Sequence, residues 1–120
     1  MNRTLASKLY LYAAYPSAGD DEVTDSFPLG EDNQVEIEII GIVMGGSFGV
    51  PLVECSLEVS NDGQNWESTS SVEISDLGAV MLTSSKTSAK LGRVLLYMTA
   101  PDAEGDYQAI LKVNVNGVNG

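Results

Sequence analysis

Val53-Glu54-Cys55-Ser56-Leu57-Glu58-Val59-Ser60-Asn61-Asp62-Gly63-Gln64-Asn65-Trp66 alternates apolar and polar residues for seven positions and then breaks at Asp-Gly. Successive side chains of a strand point to opposite faces, so Val53, Cys55, Leu57 and Val59 share one face while Glu54 and Glu58 share the other. Asp62-Gly63 is a tight-turn signal, because glycine takes positive φ without a steric cost. The stretch predicts a hairpin turning at Asn61–Gln64. Trp66 then resumes the second strand, and its indole closes the edge of the core.

The same two-residue period recurs outward from this hairpin. Gln34-Val35-Glu36-Ile37-Glu38-Ile39 and Tyr107-Gln108-Ala109-Ile110-Leu111-Lys112-Val113-Asn114-Val115 both alternate. Parity sends Val35, Ile37, Cys55, Leu57, Leu111 and Val113 to a common core and leaves Glu36, Glu38, Glu54 and Glu58 outside. A slip of one residue would bury the glutamates. Further strands are expected at residues 8–15, 71–75, 79–83 and 91–99, with a weaker one near 23–27. Turn chemistry at residues 16–20, 29–33, 45–47 and 101–105 separates them. Half-wet strands of this kind belong to antiparallel sheets. The expected fold is all-β: a single antiparallel β-sandwich of about seven or eight strands, jelly-roll or immunoglobulin-like. No repeat or linker interrupts residues 1–120, read as one domain with residues 1–30 as a candidate N-terminal arm making assembly contacts.

Charge narrows the partners. Seventeen acidic residues oppose six basic ones, for a formal net charge of −11. Such a surface repels phosphate backbones and anionic lipid headgroups, so neither nucleic acid nor a membrane is an expected partner. The longest uncharged stretch, residues 39–53, is broken by glycines and falls short of the roughly 18 residues of a membrane span. The apolar run at residues 9–14 is shorter than a signal-peptide core, and a chain made in the cytoplasm is expected.

Catalytic chemistry is thinly provided. The chain has no histidine, which removes imidazole-based triads and imidazole-ligated zinc. Its single cysteine, Cys55, sits at the inward parity and reads as a small core hydrophobe. Acidic residues abound, but no pair stands out as the two carboxylates of a hydrolase. Asp102, Glu104 and Asp106 alternate on a turn as calcium ligands do, yet lack the continuation of an EF-hand loop. Solvated turn acids account for them. No enzyme activity, metal or other cofactor is expected.

Ser60-Asn61-Asp62-Gly63-Gln64-Asn65-Trp66 resembles the S-N-D-G-x-x-W hairpin of small β-sandwich virion structural proteins of tailed bacteriophages. Arg93-Val94 and the strand 107–115 occupy matching places, so the resemblance spans roughly residues 34–116. It implies a virion protein, a capsid-decorating (cement) or tail-associated subunit, that packs against other copies of itself and a major capsid or tail protein. The hairpin also resembles that of discoidin-like carbohydrate-binding modules. It is similar to the Asp-box too, but Asp62 and Gly63 are adjacent here, where the Asp-box has an intervening residue.

Two strands are apolar on both faces. Leu9 and Leu11 alternate with Tyr10 and Tyr12 up to Tyr15, and Ile39-Ile40-Gly41-Ile42-Val43-Met44 does not alternate at all. One small domain has one core to fill, so Tyr10, Tyr12, Tyr15, Ile40 and Ile42 are the candidate protein interface. Asn61, Asp62, Gly63 and Trp66 are the structural hairpin.

Overall fold

Alternation in the sequence becomes alternation in burial. Along Gln34–Ile39 every second residue is enclosed, and Val35, Ile37 and Ile39 are fully buried. The computed structural model describes residues 3–15, 21–29, 34–46, 51–83, 89–99 and 105–119. They form nine strands: β1 (Arg3–Tyr15), β2 (Asp21–Val23), β3 (Phe27–Pro28), β4 (Gln34–Gly46), β5 (Leu52–Ser60), β6 (Glu67–Ile74), β7 (Gly78–Thr83), β8 (Leu91–Thr99) and β9 (Gly105–Asn119).

The strands divide between two antiparallel sheets. One is four-stranded, in the order β1-β9-β4-β7. The other runs β2-β8-β5-β6, with β3 also paired to β8. Pairs are nested about the middle of the chain: β5 with β6, β4 with β7, β2 and β3 with β8, and β1 with β9. A long hairpin rolled into two sheets in this way is a jelly roll, which decides between the two sandwich types the sequence leaves open.

Between the sheets lies a single core. Val35, Ile37, Cys55, Leu57, Leu111 and Val113 all reach it and all have 0% exposure, as parity requires. Leu11, Phe27, Leu96 and Met98 add to it. Each large aliphatic side chain enclosed here contributes about 1.5–3 kcal/mol. A register slip would reverse the sign of that contribution on every strand at once.

Three details depart from the alternation. First, the weak strand near residues 23–27 is two short strands on one edge of β8. Thr24 bridges them: its backbone N–H donates to Val94 O at 2.9 Å, and its buried hydroxyl accepts from Val94 N–H at 3.0 Å. The side chain thus takes up a ladder position that the backbone vacates. Second, residues 39–44 lose their period because β4 shifts register against β9 between Gly41 and Val43, placing Ile42 in a bulge. Third, the described residues of the candidate N-terminal arm include strands of both sheets: β1 runs along β9, and β2 and β3 pair with β8.

Phe27 lies opposite Gly92 in the β3–β8 pair. A β-carbon on Gly92 would stand 2.9 Å from the Phe27 ring, which is itself fully buried. Gly92→Ala is therefore expected to destabilise the protein by about 1–3 kcal/mol through forced displacement of the ring. Denaturant unfolding should show a lower midpoint at an unchanged slope, and an unmoved midpoint would mean the ring has room to shift.

Candidate functional site

Two regions carry the side chains singled out by the sequence: the β5–β6 loop and the outer face of the four-stranded sheet. The loop is longer than the sequence suggests. β6 starts at Glu67, so the turn comprises residues 61–66 rather than Asn61–Gln64, and Trp66 precedes the strand instead of resuming it.

Asp62 organises this loop. Its Oδ1 accepts from the Gln64 and Asn65 backbone N–H groups, each at 2.8 Å, and its Oδ2 accepts from Asn65 Nδ2 at 2.7 Å. Ser60 Oγ accepts from Gly63 N–H at 2.9 Å and donates to Asp62 Oδ1 at 3.0 Å. Donors converging on the carboxylate favour its charged form, and those from the Asn65 and Gln64 backbones contribute most, so its pKa lies well below the usual carboxylate range. Gly63 sits at φ 77°, the conformation the Asp-Gly pair was expected to supply. The two-residue turn chemistry is present, but it is embedded in a wider loop held by side chains.

Trp66 does not close the core. The Arg93 guanidinium lies 4.1 Å from its ring centroid, on the outer face of the five-stranded sheet. Arg93 Nε also donates to Glu58 Oε1 at 2.8 Å, an ion pair whose side chains are 26% and 15% exposed. Indole, guanidinium and carboxylate therefore form one stacked group, and one face of the indole is occupied. A cleft of about 310 Å³ beside it is lined by Ser60, Asn65, Trp66 and Glu67 among others.

The outer face of the four-stranded sheet carries the candidate interface. Tyr10 is 61% exposed and Tyr12 is 55% exposed, Ile42 is exposed, and Ile40 is half-buried. The Tyr15 backbone pairs with Gly105, while its side chain lies outside the described residues. Register extends this set across the sheet. Tyr10 stands opposite Ile110, and Ile110 stands opposite Val43. One step along, Ile40 lies between Lys112 and Ala79, and Met81 is exposed beside Glu38. An apolar band thus crosses all four strands on the face away from the core. Ile110, Val43, Ala79 and Met81 are not among the residues chosen from the sequence. The signal exists for Ile110, which is apolar at the outward parity of its strand, but only the pairing shows which residues flank it.

Asp106, one of the three calcium candidates, accepts a hydrogen bond from Tyr12 Oη at 2.7 Å, which raises the tyrosine pKa. Asp102 and Glu104 lie outside the described residues. Among the described residues no group of three or more histidine, cysteine or acidic side chains is arranged to hold a metal ion. No helix among them is long and apolar enough to cross a membrane.

The opposite outer face differs in charge. Asp21, Tyr97, Glu54 and Glu73 form one cross-strand row over β2, β8, β5 and β6. Glu54 and Glu73 are directly opposed, and like charges in that position repel. Behind Glu54, Cys55 is fully enclosed, and burial followed by the Glu54 charge pushes its thiol up to about 12.

A scan against models of known protein families finds none that matches the chain, and no curated protein sequence matches it.

Three outcomes follow from the loop and the thiol. Gly63→Ala should cost about 1 kcal/mol through its positive φ alone, since a β-carbon there meets Leu91 only at ordinary contact distance, 3.5 Å. Asp62→Ala should lower the melting temperature at neutral pH. The folded-state pKa of Asp62 is depressed, so its stabilisation is present above the unfolded value of 3.8 and is lost as pH falls through the folded value. The gap between the native chain and Asp62→Ala should accordingly narrow in acid, as read by melting curves from pH 7 to pH 2. Cys55 should resist a thiol-reactive disulfide reagent at pH 8 in the folded chain and react at once in denaturant. Prompt labelling of the folded protein would contradict its enclosure.

Proposed function

We propose that this chain is a non-enzymatic virion structural protein, a capsid-decorating or tail-associated subunit that stabilises a particle by protein–protein contact. The observation that carries the proposal is the apolar band of Tyr10, Ile110, Val43 and Ile40 on the outer face of the four-stranded sheet. A domain with a filled core gains nothing from such a band in isolation, whereas a contact surface uses it. Tyrosine suits that role, because it offers a large apolar area, a polar tip and few rotatable bonds to immobilise. The hairpin at Ser60–Trp66 supports the choice of particle through its resemblance to those of tailed-phage virion proteins. Carbohydrate binding by stacking on Trp66 is less well supported, because Arg93 already covers one face of the indole.

The test is particle association. In density gradients of lysate from the source cells, the native chain should migrate with virus-sized particles. Tyr10→Asp combined with Tyr12→Asp should keep the fold by circular dichroism but remain at the top of the gradient. A native chain found only as free protein would overturn the proposal.

A further inference from the structure

We infer that the outer face of the four-stranded sheet docks a second copy of this chain, in a two-fold arrangement with like faces together. The inference rests on the reading of that face as a protein contact and names its occupant.

Charge decides the occupant. Two chains that each carry −11 repel one another, so a copy can dock only where the local balance permits it. Among the described residues, the face around the apolar band carries Lys8 and Lys112 against Glu36, Glu38 and Asp106, and Asp106 is engaged by Tyr12 Oη. It therefore holds two of the six basic residues of the chain, and it presents both signs, as a surface that meets itself must. The outer face of the other sheet fails this requirement. Its row of Asp21, Glu54 and Glu73 would oppose the same row of a second copy, and its Arg93 is committed to Glu58 and Trp66.

Size agrees with charge. Four strands about 4.8 Å apart and some ten residues long present a face of roughly 600 Å². Two such faces together bury on the order of 1,200 Å², the lower end of the range for stable specific interfaces. Dimerisation in the micromolar range is the corresponding expectation. Ile110 and Lys112, neighbours on the inner strand β9, would lie near the middle, with Tyr10 flanking them on the edge strand β1.

Sedimentation velocity on the full chain, from about 1 to 200 μM, tests this directly. The native chain should shift from monomer to dimer over that range. Added sodium chloride should strengthen the dimer, because screening relieves the net repulsion more than it weakens pairs of opposite charge. Ile110→Asp should raise the dimer dissociation constant at least tenfold, and so should Tyr10→Ser, a milder change at an exposed position should the first variant misfold. Tyr97→Asp, on the opposite face, should leave it unchanged. A native chain that stays monomeric overturns the inference, as does a dimer broken by Tyr97→Asp and not by the other two. Weakening by salt would likewise overturn it, pointing to an acidic face held by a basic one. The broader reading stands or falls separately: a solution monomer whose tyrosine double variant still loses particle association sinks only the second-copy assignment. Particle association that survives the tyrosine double variant sinks the contact reading itself.

Discussion

Among the described strands only one ladder can be closed by a short loop, and the others are arranged around it. β5 and β6 meet across residues 61–66, whereas every other pair joins strands separated by whole strands of intervening chain. The entropy lost on closing a loop rises with its length, but only the newly enclosed chain counts once an inner loop is shut. With β5 on β6, the pairing of β4 with β7 encloses little more. With that pair in place, β8 can reach β2 and β3, and β9 can reach β1. Asp62 and Gly63, at the innermost turn, accordingly hold the contact from which the nested order can be built outward. That gives physical weight to a surface aspartate that touches nothing in the core.

Much of this was written in the sequence in a form that parity can read. Val35, Ile37, Cys55, Leu57, Leu111 and Val113 were assignable to one core because each lies in a run of strict alternation, where a single register satisfies every position. Asp62-Gly63 marked the hairpin because few residues tolerate that backbone. Other features were beyond such reading, for identifiable reasons. The split between β2 and β3 depends on Thr24 meeting the backbone of Val94, 70 residues away, and no local pattern encodes a contact of that kind. Trp66 looked like a core residue because indoles are usually buried. What it meets is Arg93, which β8 brings to it, and the composition around the tryptophan does not announce that neighbour. The loop exceeded a two-residue turn because Ser60 and Asn65 side chains supply bonds that would otherwise have to come from the ladder.

The candidate surface was half legible. Tyr10, Tyr12 and Ile42 stood out as apolar residues at positions that a single core does not need. Their connection into a band required the register of β1 on β9 and of β9 on β4, because Ile110 and Val43 join it only through cross-strand neighbours. The register also showed how unequally the two outer faces carry the charge. A net value of −11 describes the whole chain, yet the lysines at 8 and 112 soften one face while the row at 21, 54 and 73 concentrates repulsion on the other. Composition alone would have predicted a uniformly acidic object.

The outermost ladder has a mechanical consequence. Arg3, at the start of β1, lies opposite Val115, near the close of β9, so the two ends of this ladder emerge side by side. Tension applied there would open the hydrogen bonds one after another, as a zipper opens, and each would bear the full load in turn. Tension spread over the broad sheet faces would instead be shared by many bonds at once. The β1–β9 ladder thus withstands strain applied across its face and yields to strain applied where Arg3 meets Val115. Anchorage through the flat of the four-stranded sheet therefore suits its strength.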